Sequence, residues 1–306
     1  MPDLTNYVVI TPARNEAPFI EHTIRSMISQ TRVPLRWVIV SDGSTDETEE
    51  IVKAYVSRYP WIDLVILEDR HERSFAGKAR AFGAGCARIR DLSFDAIACV
   101  DADVSVDADY FEFLLDRLAA DPGLGVVGTA FEEPPHKGYN YNFSSIEHVS
   151  GGCQLFRRAC LEDIGGYLPL PGGGVDVVAA VTARMKGWKT CTFTERVYTH
   201  HRQMMTAMNR GLKRKFKWGE KDYRLGGDPL WQVFRSFYQM SRRPYFVGGV
   251  ALFAGYFFAL LTRKPRSVSE EFREFRGKEQ LQRLRRFAFG RLASRNLMTS
   301  TTVGKR

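Results

Sequence analysis

The sequence predicts an α/β fold in which a mainly parallel sheet is covered by helices and followed by a helical, basic C-terminal region. Three observations support this prediction. Short apolar runs alternate with helical patterns over the first 200 residues, which is the order expected of βαβ units. Acidic residues directly follow two of these runs. The charge balance also changes along the chain, since residues 201–306 carry 24 Lys and Arg against 7 Asp and Glu.

Each element of the first half follows from its pattern. Continuous apolar runs predict buried strands at residues 7–11, 37–40, 64–67 and 97–100. Apolar side chains at helical spacing predict a helix from about residue 20 to 30, one through residues 51–56 and one over residues 76–89. Ser44 and Glu47 have the spacing of a capping box, which predicts that Ser44 caps the second helix.

Composition limits the class of protein. A chain of 306 residues with 44% hydrophobic residues can form one large domain with an appendage, and we place the boundary near residue 202. The five cysteines are an odd number and contain no C-x-x-C pair. A disulfide framework or a zinc site is therefore disfavoured, and a reducing compartment is expected.

Three carboxylates stand where a parallel sheet presents side chains to a ligand. Asp42 follows the second strand, and Asp101 and Asp103 follow the strand at 97–100. Residues i and i+2 at a strand end point the same way, so two carboxylates can converge on one Mg²⁺ or Mn²⁺ ion. Solvated turns are the alternative interpretation of these acidic residues.

The loop after the first strand excludes two nucleotide-binding classes. Residues 11–16 read T-P-A-R-N-E and contain no glycine. A dinucleotide fold requires G-x-G-x-x-G at this turn, and a P-loop requires G-K-[ST].

Six ordered motifs make the chain resemble a family 2 glycosyltransferase with the GT-A fold over residues 7–202. They are V-V-I-T-P-A-R-N-E at 8–16, V-S-D-G-S-T-D at 40–46, G-K-A-R-A at 77–81, D-A-D at 101–103, an acceptor-side loop formed by G-G at 151–152 with F-R-R at 156–158 and I-G-G-Y at 164–167, and Asp176 eleven residues before G-W-K at 187–189. Ser41, Gly83 and Val175 depart from the family pattern. The resemblance implies a nucleotide-sugar half at about 1–103 and an acceptor half at about 104–202.

The resemblance also implies the role of each matching residue. Asp176 would be the catalytic base of an inverting transfer, although a carboxylate near a helix start can also be a cap. Gly151 and Gly152 would lie on the acceptor side, and Asp103 would bind Mn²⁺ or Mg²⁺. Residues binding the nucleotide-sugar would be Pro12, Ala13, Arg14, Glu16, Asp42, Lys78, Asp101, Ala102 and Asp103.

A histidine can complete the metal site. In GT-A enzymes a late histidine often binds the metal, and neutral imidazole suits Mn²⁺. Neighbouring strand residues point in opposite directions, so only one of His200 and His201 can do so, and we favour His200. A structural hydrogen-bonding histidine is the alternative.

The region 203–306 has features of a membrane-associated segment. Residues 245–261 carry no charge and are flanked by Arg242, Arg243, Arg263, Lys264 and Arg266. Such a segment can dip into a leaflet while its basic flanks reach headgroups, or it can be a buried core hairpin. The basic amphipathic pattern at about 270–293 predicts a helix lying on an anionic membrane surface. Nucleic acid is the weaker candidate, since no binding module accompanies the basic run at 213–221.

These features predict an inverting glycosyltransferase at the cytoplasmic face of the cell membrane, bound peripherally or monotopically. The expected donor is GDP-mannose or a UDP-hexose, and the expected acceptor is a lipid-linked or membrane-proximal saccharide. A polyprenyl-phosphate sugar synthase of the same fold is an alternative. A nucleotidyltransferase and a non-catalytic membrane-binding protein are alternatives of other classes.

Overall fold

The structure is a computed structural model that describes residues 4, 6–68, 76–133, 136–137, 145–202 and 208–300. The chain divides into two compact units, Met1–Met204 and Met205–Arg306. The elements of the first unit are β1 (Tyr7–Ala13), α1 (Ile20–Ile28), β2 (Arg36–Asp42), α2 (Thr48–Val56), β3 (Ile62–Leu67), α3 (Gly77–Arg88), β4 (Ala96–Val100), β5 (Val104–Ser105), α4 (Tyr110–Ala120), β6 (Leu124–Glu133), β7 (His136–Lys137), β8 (Cys153–Arg157), α5 (Arg158–Ile164), α6 (Val175–Met185) and β9 (Lys189–His200).

Within the described residues, nine strands form one sheet with the order β3-β2-β1-β4-β8-β6-β9-β5, and β7 lies beside β6. The predicted strands are all present, each at or near its predicted bounds. β1 pairs in parallel with β2 on one side and with β4 on the other. The order therefore reverses between β1 and β4, and the crevice at such a reversal is where ligands of α/β sheets bind.

Beyond β4 the sheet is mixed, because antiparallel pairs stand beside the parallel pair of β6 and β9. β8 is antiparallel to both β4 and β6, and β5 is antiparallel to β9. The sequence patterns that predicted strands end at residue 100, and the second half contains its antiparallel members. The mixed arrangement places the loop before β8 beside the end of β4.

The start of α2 corrects the predicted capping box. The helix begins at Thr48, and Glu47 at its N-cap position makes no side-chain cap bond. Ser44 instead shares a hydrogen bond of 3.0 Å with the hydroxyl of Ser41. Asp46 satisfies the helix start, because its carboxylate accepts the Thr48 N–H at 3.1 Å and the Ala17 N–H at 3.0 Å. The D-G-S-T-D turn thus ties α2 to the loop after β1.

The core of the first unit lies between the sheet and its helices. Trp37 is fully buried, and its indole N–H donates to Thr11 Oγ1 at 2.9 Å. Tyr7 stacks on Phe111 of α4 with ring centroids 5.1 Å apart. Tyr7, Trp37 and Phe111 belong to one buried cluster on one face of the sheet, and burial of these large rings fixes the strands whose ends carry polar residues.

The second unit is helical over its described residues, with α7 (Met208–Arg224), α8 (Pro229–Met240), α9 (Val247–Leu261) and α10 (Glu270–Ser300). The uncharged segment forms one continuous helix, α9, rather than a hairpin. No described helix is both long enough and apolar enough to cross a bilayer.

The amphipathic pattern after residue 270 does form a helix, but part of its apolar face is used inside the second unit. Phe272 is buried, and the Phe287 ring packs on Phe234 of α8 with centroids 5.7 Å apart. These two aromatic side chains therefore contribute to packing within the unit.

Candidate active site

The candidate site lies where β1, β2 and β4 end, at the reversal of strand order. Residues after β1 and β2 are bonded to each other, since the Arg14 guanidinium donates to the Asp42 carbonyl at 3.0 Å. The Glu16 N–H donates to Thr48 Oγ1 at 2.8 Å. Predicted nucleotide-sugar residues from two separate loops are therefore held in one place.

Asp42 is held against the first turn of α3. Its carboxylate accepts a short hydrogen bond from Arg80. A Cβ on Gly77 would stand 2.6 Å from Asp42 Oδ2. Any side chain at position 77 would therefore clash with the Asp42 carboxylate in its present position. Arg80 was not among the predicted site residues, although it lies two residues after Lys78 in the same motif.

Lys78 joins the donor side of the site to the acceptor side. Its ammonium donates to Asp101 Oδ1 at 2.5 Å and to the Gly151 carbonyl at 2.7 Å. Burial disfavours the charged amine, but the Asp101 carboxylate outweighs this effect and raises the pKa of Lys78 above its ordinary value. Lys78 is therefore a fixed positive charge between strand β4 and the loop before β8.

Asp176 lies in the first turn of α6, beside this lysine contact. The N-cap of α6 is Gly174, which has no side chain to cap the helix. Asp176 stands in the first turn, where the helix dipole also favours a carboxylate, so its helix-start role stays an alternative beside that of a base. A Cβ on Gly151 would stand 2.9 Å from Asp176 Oδ2. The half-buried carboxylate therefore packs directly on the backbone to which Lys78 is bonded.

A buried network of hydrogen bonds fixes the backbone around Gly151 and Gly152. A Cβ on Gly152 would stand 2.5 Å from the hydroxyl of Tyr198, and that hydroxyl donates to Ser150 Oγ at 2.9 Å. The Gln154 amide N–H donates to the Asp176 carbonyl at 3.4 Å, and Tyr167 donates to Gln154 Oε1 at 2.5 Å. Of these supporting residues the sequence indicated only Tyr167, within the motif at 164–167, because isolated Tyr, Ser and Gln side chains have no motif spacing.

Asp103 and His200 meet because β5 pairs with the end of β9, with Val104 opposite His200. His200 Nε2 lies 3.5 Å from Asp103 Oδ1, and His200 Nδ1 lies 3.4 Å from Glu133 Oε1. All three side chains are largely buried. His200 Nδ1 and Glu133 Oε1 are also buried without a hydrogen-bond partner. Glu133, at the end of β6, is a site residue that the sequence analysis missed.

Arg202 pairs with two carboxylates of the site. Its guanidinium donates to Asp103 Oδ2 at 3.0 Å and makes a shorter ion pair with Glu16. Burial and the nearby Asp103 raise the pKa of Glu16 to about 7, although Arg202 acts in the opposite direction. Asp103 and Glu16 thus share the Arg202 guanidinium as their cationic partner.

His201 faces away from Asp103. Its Nε2 lies 2.9 Å from Ser105 Oγ, and its ring stacks on His22 with centroids 4.7 Å apart. Burial lowers the pKa of His201, which favours the neutral ring. The expected alternation is therefore observed, with His200 toward Asp103 and His201 in a structural contact.

The remaining predicted residues contribute backbone rather than side chains. Ala13 and Ala102 are buried, so their methyl groups belong to the core and only their main chain can face a ligand. Pro12 is half-buried at the end of β1. Their placement agrees with a site lined partly by strand ends.

The residues around Asp103 fit a divalent metal that takes part of its coordination from a ligand. Carboxylate and imidazole suit Mn²⁺, and a metal-binding histidine commonly presents its second ring nitrogen to a carboxylate, as His200 does to Glu133. Among the described residues, no group of three or more His, Cys, Asp or Glu is arranged to hold an ion alone.

Sequence comparison gives relatives of one kind. The family described as glycosyl transferase family 2 matches residues 8–165. Poly-beta-1,6-N-acetyl-D-glucosamine synthase of Staphylococcus aureus (strain COL) is 29% identical over 125 residues, 41% of this chain and 28% of that protein. The synthase of the same name from Staphylococcus epidermidis is 28% identical over 172 residues, 49% of this chain and 39% of that protein. The chain thus spans well under half the length of these relatives.

Solved structures share the fold. TarS (1–349) of S. aureus superposes with a TM-score of 0.55 at 14% identity, covering 85% of this chain and 72% of that one. The mannosyltransferase PcManGT of Pyrobaculum calidifontis, solved with GDP-Man and Mn²⁺, has a TM-score of 0.56 at 19% identity, covering 93% of this chain and 87% of that one. These likenesses show a GT-A-like fold, and the family match sets aside the nucleotidyltransferase alternative. The chain belongs to glycosyl transferase family 2.

Proposed function

We propose that the chain transfers a sugar from a nucleoside-diphosphate sugar to a hydroxyl of a lipid-linked or membrane-proximal saccharide, with inversion and with the help of Mn²⁺ or Mg²⁺. One observation carries the proposal. The Asp176 carboxylate packs on Gly151, and Lys78 bonds both the Gly151 carbonyl and Asp101. A base for the acceptor and a donor-side carboxylate thus meet at one backbone position.

Asp176 is the residue placed to act as general base. The acceptor O–H gives its proton to the Asp176 carboxylate while the acceptor oxygen forms a bond to the anomeric carbon. The bond from that carbon to the diphosphate breaks, and the diphosphate leaves with the electron pair. One base and one displacement invert the configuration at the anomeric carbon.

Asp103 and His200 would hold the metal, with Glu133 orienting the His200 ring. The bound ion would supply charge neutralisation to the leaving diphosphate. Lys78 and Arg202 are the cationic side chains on the same side of the site. They keep the Asp101, Asp103 and Glu16 carboxylates paired within the site.

Replacing Glu133 by Gln tests the orienting role. We expect Mn²⁺ affinity to fall about 10–100-fold, the usual effect of losing a carboxylate behind a metal-bound histidine. Titration of Mn²⁺ followed by electron paramagnetic resonance, with the nucleoside diphosphate present, measures this affinity. Glu132→Gln is the matched control, since its side chain is the adjacent one on β6. Equal Mn²⁺ affinity in the two variants would remove Glu133 from the site.

A donor panel tests the function itself. Full-length protein is heated with UDP-GlcNAc, UDP-glucose or GDP-mannose, each with Mn²⁺ or with EDTA. One donor with Mn²⁺ is expected to raise Tm, because a ligand that binds only the native state stabilises it. Incubation of that donor with membrane extract should release nucleoside diphosphate. Release of pyrophosphate, or no stabilisation by any donor, would contradict the proposal.

The same incubation separates the acceptor classes. An extended oligosaccharide on lipid indicates a saccharide acceptor. A product in which the sugar is attached directly to polyprenyl phosphate indicates the alternative synthase. We place the enzyme at the cytoplasmic face of the cell membrane, because nucleotide-sugar donors are cytosolic and the second unit is strongly basic.

A further inference from the structure

The helix α9 has two apolar faces, and the part of the second unit that the structure describes covers only one of them. The buried face consists of small residues and two larger ones, namely Gly248, Gly249, Leu252, Gly255, Tyr256 and Ala259. A Cβ on Gly255 would stand 1.9 Å from the Phe216 carbonyl oxygen, and one on Gly249 would stand 2.4 Å from the Ser236 carbonyl oxygen. The backbone of α9 therefore packs directly against α7 and α8.

The opposite face is exposed and equally apolar. Its exposed side chains are Val247, Val250, Phe253, Phe258 and Leu261. Successive members are three, three, five and three residues apart, which at about 100° per residue keeps all five within about 140° of the helix circumference. Leu261 is 80% exposed. A helix on the surface of a soluble unit normally carries polar residues on this side, and an all-apolar helix indicates burial in protein or lipid.

The loop that leads into α9 extends this surface. Tyr245 and Phe246, immediately before the helix, are 63% and 65% exposed. Arg242 and Arg243 precede them and are also exposed. Aromatic side chains next to arginines are typical of segments at a membrane interface, where rings enter the headgroup region and cations meet lipid phosphates.

The chain segment that carries this surface has charges of one sign. Between Asp228 and Glu270 the chain contains no acidic residue and six basic ones. At the far end of α9, Arg263 is exposed, whereas the Lys264 ammonium beside the Phe258 ring is paired with Glu220 of α7 at 2.8 Å. Basic residues at both ends of an apolar face are complementary to a bilayer with anionic headgroups.

We infer that the exposed face of α9, together with Tyr245 and Phe246, docks the second unit on an anionic lipid bilayer with the helix lying in the plane of the interface. Fifteen residues extend about 22 Å as a helix, less than the hydrocarbon thickness of about 30 Å. One face must also remain against α7 and α8. This inference rests on the proposed function, in which the acceptor is close to a membrane, and it names the surface by which the protein would bind that membrane.

Vesicle binding tests the inference without requiring sugar transfer. Full-length protein is sedimented with phosphatidylcholine vesicles that contain phosphatidylserine, and with vesicles of phosphatidylcholine alone. We expect binding to the anionic vesicles that weakens at high salt. The double variant Val250→Ser/Leu261→Ser should bind about tenfold or more weakly, because two apolar side chains no longer enter the lipid. Arg242→Gln/Arg243→Gln should lose about fivefold per arginine, on anionic vesicles only.

The matched control is Ile66→Ser, which removes an apolar side chain 51% exposed on the first unit and should leave vesicle binding unchanged. Far-UV circular dichroism and donor-dependent stabilisation verify that each variant is folded. Equal vesicle binding by wild type and the α9 double variant would overturn the inference. A second result would also overturn it. If wild type formed a dimer in sedimentation velocity, the double variant did not, and neither protein bound vesicles, a second copy of the chain would be what covers this face. Loss of vesicle binding with intact sugar transfer to a soluble acceptor separates this surface from the catalytic proposal.

Discussion

We expect Asp176→Asn to lower the rate of sugar transfer by about 10²–10⁴-fold, the range that general base catalysis contributes. Asparagine has nearly the same shape as aspartate but cannot take the acceptor proton. The packing of this side chain on Gly151 should therefore survive the change. Steady-state release of nucleoside diphosphate measures the rate, and isothermal titration of the donor measures binding. Donor Kd should stay within experimental scatter of the wild-type value.

Asp91→Asn is the control for Asp176→Asn, because it makes the same chemical change at an exposed side chain after α3. A base has a second signature in the pH profile. The acidic limb of kcat reports the ionisation of the base, and this limb should disappear in the residual activity of Asp176→Asn. Wild-type turnover in the variant would show that another group accepts the proton.

The second large effect is expected for Asp103→Asn. Asp103 is buried and faces His200 on one oxygen and Arg202 on the other. An amide is a poor metal ligand compared with a carboxylate, and its N–H₂ group would face Arg202 unfavourably. The stabilisation of the protein by donor plus Mn²⁺ should be lost, which amounts to about 2.7 kcal/mol at a donor concentration 100 times its Kd. Thermal unfolding with donor and Mn²⁺ measures this loss.

Asp107→Asn, four residues further along and exposed, serves as the control for Asp103→Asn. The variant without ligand must unfold cooperatively for the comparison to hold. A donor-induced rise in Tm that is the same with Mn²⁺ and with EDTA, in both wild type and variant, would show that donor binding does not use a metal at Asp103.

The first half of the fold was predictable because its signals are local. Apolar runs at 7–11, 37–40 and 97–100 are buried strands whose length and burial need no distant partner to be recognised. The second half was not, because β8 and β5 are short strands that pair antiparallel with distant neighbours. A strand of two residues such as Val104–Ser105 has no periodicity to detect.

The same distinction explains which site residues were missed. The site residues that the sequence did indicate stand in compact motifs and lie around the strand ends. They are Asp42, Lys78, Asp101, Asp103 and Asp176. Glu133 reaches His200 only because β6 and β9 run side by side in parallel. Arg80 and Arg202 bind carboxylates that are 38 and 99 residues away in the chain. Contacts of this kind depend on topology, and a single sequence does not encode them in any spacing.

Local rules also gave one wrong detail. Ser44 and Glu47 satisfy the spacing of a capping box, yet Asp46 holds the start of α2. The Asp46 carboxylate takes this role because it accepts N–H groups from two segments at once, namely those of Thr48 and Ala17. A residue that joins two loops has more hydrogen bonds to gain than a hydroxyl serving only its own helix.

A single main-chain hydrogen bond at the end of β4 has consequences for how this enzyme can work. The Asp101 N–H donates to the Gly152 carbonyl at 2.8 Å, which continues the β4–β8 ladder to the point where donor-side and acceptor-side residues meet. In the proposed reaction, the main chain at Asp101 and the main chain that contacts Asp176 are therefore held side by side by the sheet itself. Changes in substrate preference are accordingly easier to engineer in side chains facing the crevice than in the relative placement of its two walls.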